Sequence, residues 1–286
     1  YKVLKAAEMA LEEGIAEPIL LGREIKINKI IQEYNLDLPN CTIIDPRSDE
    51  TIDQRERFAK ILHEKRKRRG LTFYEAKKMM RERNYYASAM VETGMADVMI
   101  SGITRSYKET IRPALQVIGA EEGINKIAGM YILISKDGPI FFADTTININ
   151  PTIEEIVDIT LLVARTVKEY KIKPRIAMLS YSNFGSNEGE DAVKMREAVT
   201  YLHKQYPDLV VDGEVQANFA VNKELVSDFF PFSMLADGRA NTLIFPNLSS
   251  GNIAYKLVKE MSQFEAIGPV LLGMKRPVHV LQIGSS

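Results

Sequence analysis

The sequence predicts an α/β protein of two subdomains, and three observations carry that prediction. Short apolar runs alternate with helix-period segments through the first third of the chain, as in a parallel, doubly wound sheet. Two apolar runs at 126–135 and 140–144 are then joined by Lys136-Asp137-Gly138-Pro139, a hairpin turn that breaks this rhythm. No flexible linker, tandem repeat or low-complexity segment separates the two parts. The first subdomain is therefore expected at 1–123 with 270–286, and the second at 124–269, with a cleft between them.

The elements follow in order. Val3, Leu4, Ala7, Ala10 and Leu11 have helical spacing, and Gly14 suits a left-handed cap. Strands are expected at 18–22 and 41–44, with a helix at 25–34 between them and a long polar helix at 52–69. Thr72 and Glu75 are spaced as a capping box for a helix at 72–83, and 85–93 continues in helical character. Residues 95–102 form a strand ending in Ser101-Gly102, and a helix is expected from Ile111. In the second subdomain Pro151 and two glutamates open a helix at 151–170. Strand 175–179, helix 191–205 and strand 209–211 follow, with Asp212 and Glu214 placed just after the strand. A helix begins at Asn222-Lys223. Residues 241–245 are a strand, 247–252 a polar turn, and an amphipathic helix follows. The last strands, 269–273 and 278–282, lead back to the first subdomain.

Composition narrows the function classes. The chain has 286 residues, 45% hydrophobic and 26% charged, with a formal net charge of -1. That excludes a globally basic nucleic-acid binder, and no window approaches the ~20 apolar residues of a membrane span. One cysteine, Cys41, excludes an intramolecular disulfide and a thiolate-cluster metal site, and points to a reducing cytoplasm. His63, His203 and His279 have no metal-ligand spacing, nor do Asp144, Asp212 and Glu214. There is no GxxxxGK[ST], no GxGxxG after a strand and no HExxH. The opening without Met, already in helical pattern, and the Gly-Ser-Ser ending are expected of a C-terminal fragment of a longer protein.

Three strand ends carry small hydroxyl or amide residues. These are Ser101-Gly102, the stretch from Ser180 through Ser182 to Ser186, and Asn247-Leu248-Ser249-Ser250-Gly251-Asn252. Ligands in open α/β sheets bind at the C-terminal edge of the strands, and such groups suit phosphates bound through N–H and hydroxyl donors. Arg112, near a helix start, is a candidate for bidentate binding of phosphate or carboxylate. The basic run Lys65-Arg66-Lys67-Arg68-Arg69 reads as a solvated helix end or a polyanion patch.

Seven ordered motifs carry a resemblance: ADVMISG, TIRPALQVIG, FFADTTININPTIEEI, RIAMLSYSNFGS, VDGEVQAN, ANTLIFPNLSSGNIAYKLV and AIGPVLLGMKRPV. Together they resemble the phosphate acetyltransferase and phosphate butyryltransferase family across essentially the whole chain. The resemblance implies a two-subdomain α/β/α fold of the isocitrate/isopropylmalate dehydrogenase type. It also implies a coenzyme A site in the cleft, no metal in this domain, and a homodimer joined through the second subdomain. It assigns Arg66 and Arg112 as counterparts of the family's functional arginines. Ser249, Ser250 and Asn252 become expected ligand contacts, and Asn247 replaces an acidic residue of the family's turn. The family's reactive Ser-Arg-Gly reads Gln282-Ile283-Gly284 here, so both reactive side chains are replaced, and the family's general base lies beyond Ser286.

Two functions from different classes follow. The first is a regulatory, catalytically degenerate domain of an NADP-dependent malic enzyme. It would bind acetyl-CoA as an allosteric inhibitor, with NADP and a divalent metal confined to a missing N-terminal part. YKVLKAAEMALEEGIAEPILLGR and VHVLQIGSS resemble such domains. The alternative is an active phosphate acetyl- or butyryltransferase converting acetyl-CoA and phosphate to acetyl phosphate and coenzyme A. A purely structural dimerisation module is a third reading.

Overall fold

The protein is described by a computed structural model that covers residues 1–39 and 41–281. The chain divides into two compact units. The first comprises Tyr1–Gly119 with Arg276–Val278, and the second Ala120–Lys275 with His279–Leu281.

The first unit is mainly helical. It contains α1 (Lys2–Glu12), β1 (Ile19–Leu21), α2 (Glu24–Glu33), β2 (Thr42–Ile44), α3 (Ile52–Arg66), α4 (Phe73–Met79), α5 (Arg83–Glu92), β3 (Met99–Ser101) and α6 (Tyr107–Val117). β1 and β2 pair in parallel over three residues each. A small apolar cluster of Leu4, Ala7 and Leu20 fixes α1 on this pair. The main core is instead Phe58, Ala59, Leu62, Ala76, Met80, Tyr86, Ala89, Met90 and Val117, from the facing sides of α3 to α6. The expected doubly wound sheet is therefore not what organises this unit. Its strands are too short to cover the apolar faces of four helices, which bury against one another.

The second unit is a layered α/β structure. Its elements are β4 (Ala128–Ser135), β5 (Gly138–Ala143), α7 (Ile153–Glu169), β6 (Ile176–Leu179), α8 (Glu190–Gln205), β7 (Val211–Val215), α9 (Ala217–Val221), α10 (Lys223–Phe229), β8 (Thr242–Ile244), α11 (Leu248–Met261) and β9 (Glu265–Leu272). β10 (Val278–Val280) joins through His279 opposite Val270. The strand order β10-β9-β4-β5-β8-β6-β7 is mixed. β9, β4 and β5 run antiparallel to one another in turn, while β5, β8, β6 and β7 are successively parallel. Side-chain alternation builds a core on each face. Met130, Ile132, Phe141, Met178 and Ile244 pack with Ile156, Val163, Met195 and Leu202 of α7 and α8. Tyr131, Leu133, Phe142, Leu179 and Leu243 pack on the other face with Ala220, Val226 and Tyr255. There Tyr131 stacks on Tyr255 with ring centroids 4.0 Å apart.

Several expected boundaries move. The division falls after Gly119, and residues 270–275 stay in the second unit, because β9 continues to Leu272 as a full-length partner of β4. α6 starts at Tyr107, where Ser106 and Glu109 form a capping box, so Arg112 sits in the second turn. α7 is capped by Thr152 with Glu155, which leaves Pro151 outside the helix. α11 starts directly after Asn247, so Ser249, Ser250, Gly251 and Asn252 are its first turns. β7 takes in Asp212 and Glu214, both buried, where polar residues suggest a loop. Each has partners: Asp212 accepts from Ser233 Oγ (2.7 Å) and Met234 N–H (2.8 Å), and Glu214 from Ser182 Oγ and Gly185 N–H.

Candidate functional site

The candidate residues fall into two clusters, one in each unit. In the first unit the cluster is built where α3, α5 and α6 meet. Lys65 Nζ donates to the Val117 carbonyl (2.5 Å) and to Glu92 Oε1 (2.6 Å), tying the last turn of α3 to the C-terminal ends of α6 and α5. Arg66 follows Lys65 at the end of α3, and Arg112 stands on α6 one turn before Gln116, whose Oε1 accepts from the Tyr85 hydroxyl (2.6 Å). Burial pushes the Tyr85 hydroxyl above its ordinary pKa and the Glu82 carboxylate adds to this, while the Arg112 and Arg66 guanidiniums oppose it. Neither arginine has an ion pair or hydrogen bond among the described residues, although Arg112 also bears on Glu109. Two guanidiniums without described partners, both acting on one phenol, suit an anion with several oxygens.

The rest of the basic run divides. Lys65 is a structural tie, Lys67 pairs with Glu64 at 2.5 Å, and Arg68 and Arg69 are exposed. Ser101, at the end of β3, donates to Asn84 Oδ1 (2.9 Å), and Gly102 is buried with φ of +126°. Arg105 pairs with Glu82, so the segment after β3 is held against the start of α5.

In the second unit the candidate residues are densely bonded to one another. Asn247 caps α11 through Oδ1 to Ser250 N–H (3.0 Å) and donates from Nδ2 to Asp191 Oδ2 (2.9 Å). Ser250 Oγ donates to the Asn247 carbonyl (2.8 Å), and Asn252 Nδ2 to the Thr145 carbonyl (3.0 Å). Gly251 lies so close to β5 that a Cβ there would sit 2.4 Å from the Asp144 carbonyl oxygen. Ser249 is exposed and keeps its hydroxyl free among the described residues. Ser180 Oγ accepts from Ser182 N–H (3.2 Å). Ser182 is only 1% exposed, its hydroxyl taken by Glu214 Oε1 (2.9 Å) and Ser186 Oγ (3.0 Å). Asp144 accepts from the N–H groups of Gly129, Thr146, Ile147 and Asn148 and from Asn148 Nδ2. It is therefore a loop-folding group, and no metal-binding group of carboxylates, histidines or cysteine occurs among the described residues.

An open depression of about 500 Å³ lies beside the α11 N-terminus, lined by Asn150, Tyr181, Glu190, Asp191, Asn247 and Ser249 among others. Lys194 neutralises Asp191 at 2.8 Å, yet Glu190 remains, so this hollow suits hydroxyl or amide groups better than a bare phosphate. His203 is tied to the Val211 carbonyl at 2.7 Å, and burial lowers the pKa of His279. Gln282 and Ile283 lie outside the described residues. Tyr85, Gln116, Tyr181 and Asp191 are not singled out by the sequence. Gln116 is in principle visible there, because it lies four residues after Arg112 and so shares its helix face.

The sequence profile described as phosphate acetyl/butaryl transferase matches residues 1–286. The chain belongs to this family. It is 38% identical over 290 residues to the phosphate acetyltransferase of Clostridium acetobutylicum, covering 99% of this chain and 86% of that enzyme. The crystal structure of a phosphotransacetylase from Streptococcus pyogenes superposes with a TM-score of 0.88 at 37% identity, covering 99% of this chain and 85% of that one. It shares the mixed α/β build with a central sheet flanked by helices. An NADP-dependent malic enzyme of Haemophilus influenzae matches at 34% identity over 286 residues, which is 38% of its length.

These likenesses overturn the regulatory malic-enzyme reading. That reading gives decisive weight to two stretches at the ends of the chain and to the Gln282-Ile283 replacement. Similarity over the whole length runs higher to the Clostridium acetobutylicum and Streptococcus pyogenes proteins than to the malic enzyme, which favours the acyltransferase alternative.

Proposed function

We propose that this family member transfers an acyl group between coenzyme A and phosphate, converting acetyl-CoA or butyryl-CoA and phosphate to the acyl phosphate and free coenzyme A. A phosphate oxygen attacks the thioester carbonyl carbon, a C–O bond forms, and the C–S bond breaks as the thiolate leaves and takes up a proton. The observation that carries this reading is the pair of guanidiniums without described partners, Arg66 at the end of α3 and Arg112 on α6, both acting to lower the pKa of the same Tyr85 phenol, in a chain matched end to end by the family. They hold phosphate oxygens and offset the charge that develops on them. The free Ser249 hydroxyl and the hollow beside Asn247 take polar parts of coenzyme A. Ser101, Gly102, Ser180, Ser182, Ser250, Gly251 and Asn252 shape the loops around these contacts.

Gln282 and Ile283 replace the Ser-Arg pair of the family. Loss of one transition-state donor costs about 10²–10³ in turnover, so this chain is a slow enzyme. The test is acetyl phosphate formation from acetyl-CoA and phosphate, in the chain as it stands and in a Gln282→Ser/Ile283→Arg variant. Slow, saturable turnover that rises at least about tenfold in the variant is the expected result. No product from either protein, with folding intact, overturns the reading.

The two-subdomain isocitrate/isopropylmalate dehydrogenase-type arrangement with a central cleft, and a homodimer joined through the second unit, belong to the same proposal. Ile253, Leu257 and Met261 support the dimer, since they recur every four residues along α11 and are 57%, 52% and 83% exposed. A cytoplasmic setting fits the lone thiol of Cys41, and no described helix is long and apolar enough to cross a membrane.

A further inference from the structure

Two guanidiniums supply charge, but the neutral group beside them decides how an anion sits. Gln116 lies one turn beyond Arg112 on α6, on the same face. Its Oε1 accepts a hydrogen bond of 2.6 Å from the Tyr85 hydroxyl. Its Nε2 has no hydrogen-bond partner among the described residues, and the side chain is only partly buried. A glutamine amide can present either its oxygen or its NH₂ to a ligand, and these ends have opposite polarity. Tyr85 removes that ambiguity. It is 7% exposed and packed in the α3–α6 core, so the phenol is fixed in place. A phenol is protonated at neutral pH, burial pushes its pKa further up, and its single proton is given to Oε1. The Lys65 tie to Val117 and Glu92 brings the end of α3, where Arg66 follows, against the end of α6 that carries Gln116.

We propose that Gln116 is an anion-binding residue and Tyr85 its positioning residue. The Tyr85–Gln116 hydrogen bond locks the amide so that Nε2 donates to an oxygen of a phosphate or phosphoryl group held by Arg66 and Arg112. The inference rests on the reading that these arginines hold phosphate, and it adds a directional neutral donor to them. Freed from the phenol, the amide samples the orientation that points its oxygen at the anion, which weakens binding.

The test is a titration of the full chain with inorganic phosphate followed by NMR, which needs no turnover, run beside the transfer assay. Tyr85→Phe removes one oxygen from a buried ring and is expected to raise the phosphate Kd about 3–10-fold. In the transfer assay it raises KM for phosphate with kcat and the KM for acetyl-CoA nearly unchanged. Gln116→Glu turns the donor into a carboxylate facing the anion and raises Kd at least about 30-fold. Gln116→Met, which keeps the volume, gives an intermediate loss and controls for folding. Unchanged phosphate affinity in folded Tyr85→Phe or Gln116→Glu overturns the inference, as does the absence of saturable phosphate binding in the unsubstituted chain. Phosphate binding that responds as expected in a chain without transfer leaves the inference standing and removes the acyltransferase reading. Transfer with an unresponsive phosphate KM does the reverse.

Discussion

The two clusters of candidate residues use opposite hydrogen-bonding economies. In the first unit Arg66, Arg112 and the Gln116 amide nitrogen are without partners among the described residues, while a separate set of groups, Lys65, Glu92 and Tyr85, does the holding. In the second unit the candidates, Ser249 excepted, are bonded to one another or to the loops around them. Asn247, Ser250, Asn252 and Ser182 each make at least one side-chain hydrogen bond within the unit, and Asp144 collects five donors. Groups that are free can serve a ligand without disturbing the fold, and groups that are engaged cannot be changed without disturbing it. Substitutions should therefore separate activity from stability in the first unit and merge them in the second.

The sharpest break of this comparison is Arg112→Ala. With no partner to abandon, it should leave the thermal midpoint within about 1 °C while lowering kcat/KM by about 10²–10³, or about 3–4 kcal/mol of transition-state stabilisation. A large drop in the midpoint would place Arg112 among the holding groups instead. Gly251→Ala is the counterpart in the second unit. The new methyl would meet the Asp144 carbonyl at 2.4 Å, so a loss of about 1–3 kcal/mol in denaturant unfolding is expected, with activity falling alongside. A Gly251→Ala chain as stable as the original would mean that α11 has slack.

The smallest effect is shared by both units and comes from their caps. Hydrogen bonds from the Thr72 backbone and side chain lower the Glu75 pKa, Ser106 does the same for Glu109, and Lys126 with Thr152 for Glu155. A carboxylate whose folded pKa lies below its ordinary 4.5 contributes stability that is present above that value and is lost as pH falls through the folded one. Stability should thus decline on acidification below about pH 4.5, and Thr72→Ala with Ser106→Ala should flatten that decline slightly. A thermal melt series from about pH 6 to 3 reads both.

Local codes are legible where they are self-contained. Thr72 with Glu75 announces α4, and Gly14, at φ of +64°, closes α1 as its position suggests. The same Ser/Thr-x-x-Glu code at Ser106 and Thr152 competes with later apolar residues or a proline, and giving those precedence moves two helix starts. Strand β7 is hidden because Asp212 and Glu214 look like loop residues until Ser233 and Ser182 arrive from far along the chain to bond them. The seven ordered motifs identify the family, but pairing of a side chain is a tertiary fact. Nothing in the sequence distinguishes the free Ser249 hydroxyl from the engaged one of Ser250, or marks Tyr85 as the residue that orients Gln116. Weight placed on the chain ends also misdirects the choice between two functions.

The contact between Gly251 and the Asp144 carbonyl has a mechanical side. No side chain separates helix from chain there, and the space left would not hold even a methyl group, so α11 has little room to roll toward Asp144 at its N-terminus. A ligand pressing on Asn247 or Ser249 therefore loads the end of β5 as well, and through it the middle of the sheet. Rolling of α11 at this end would have to carry the end of β5 with it, a collective motion of microseconds to milliseconds, while the exposed Ser249 side chain adjusts in nanoseconds.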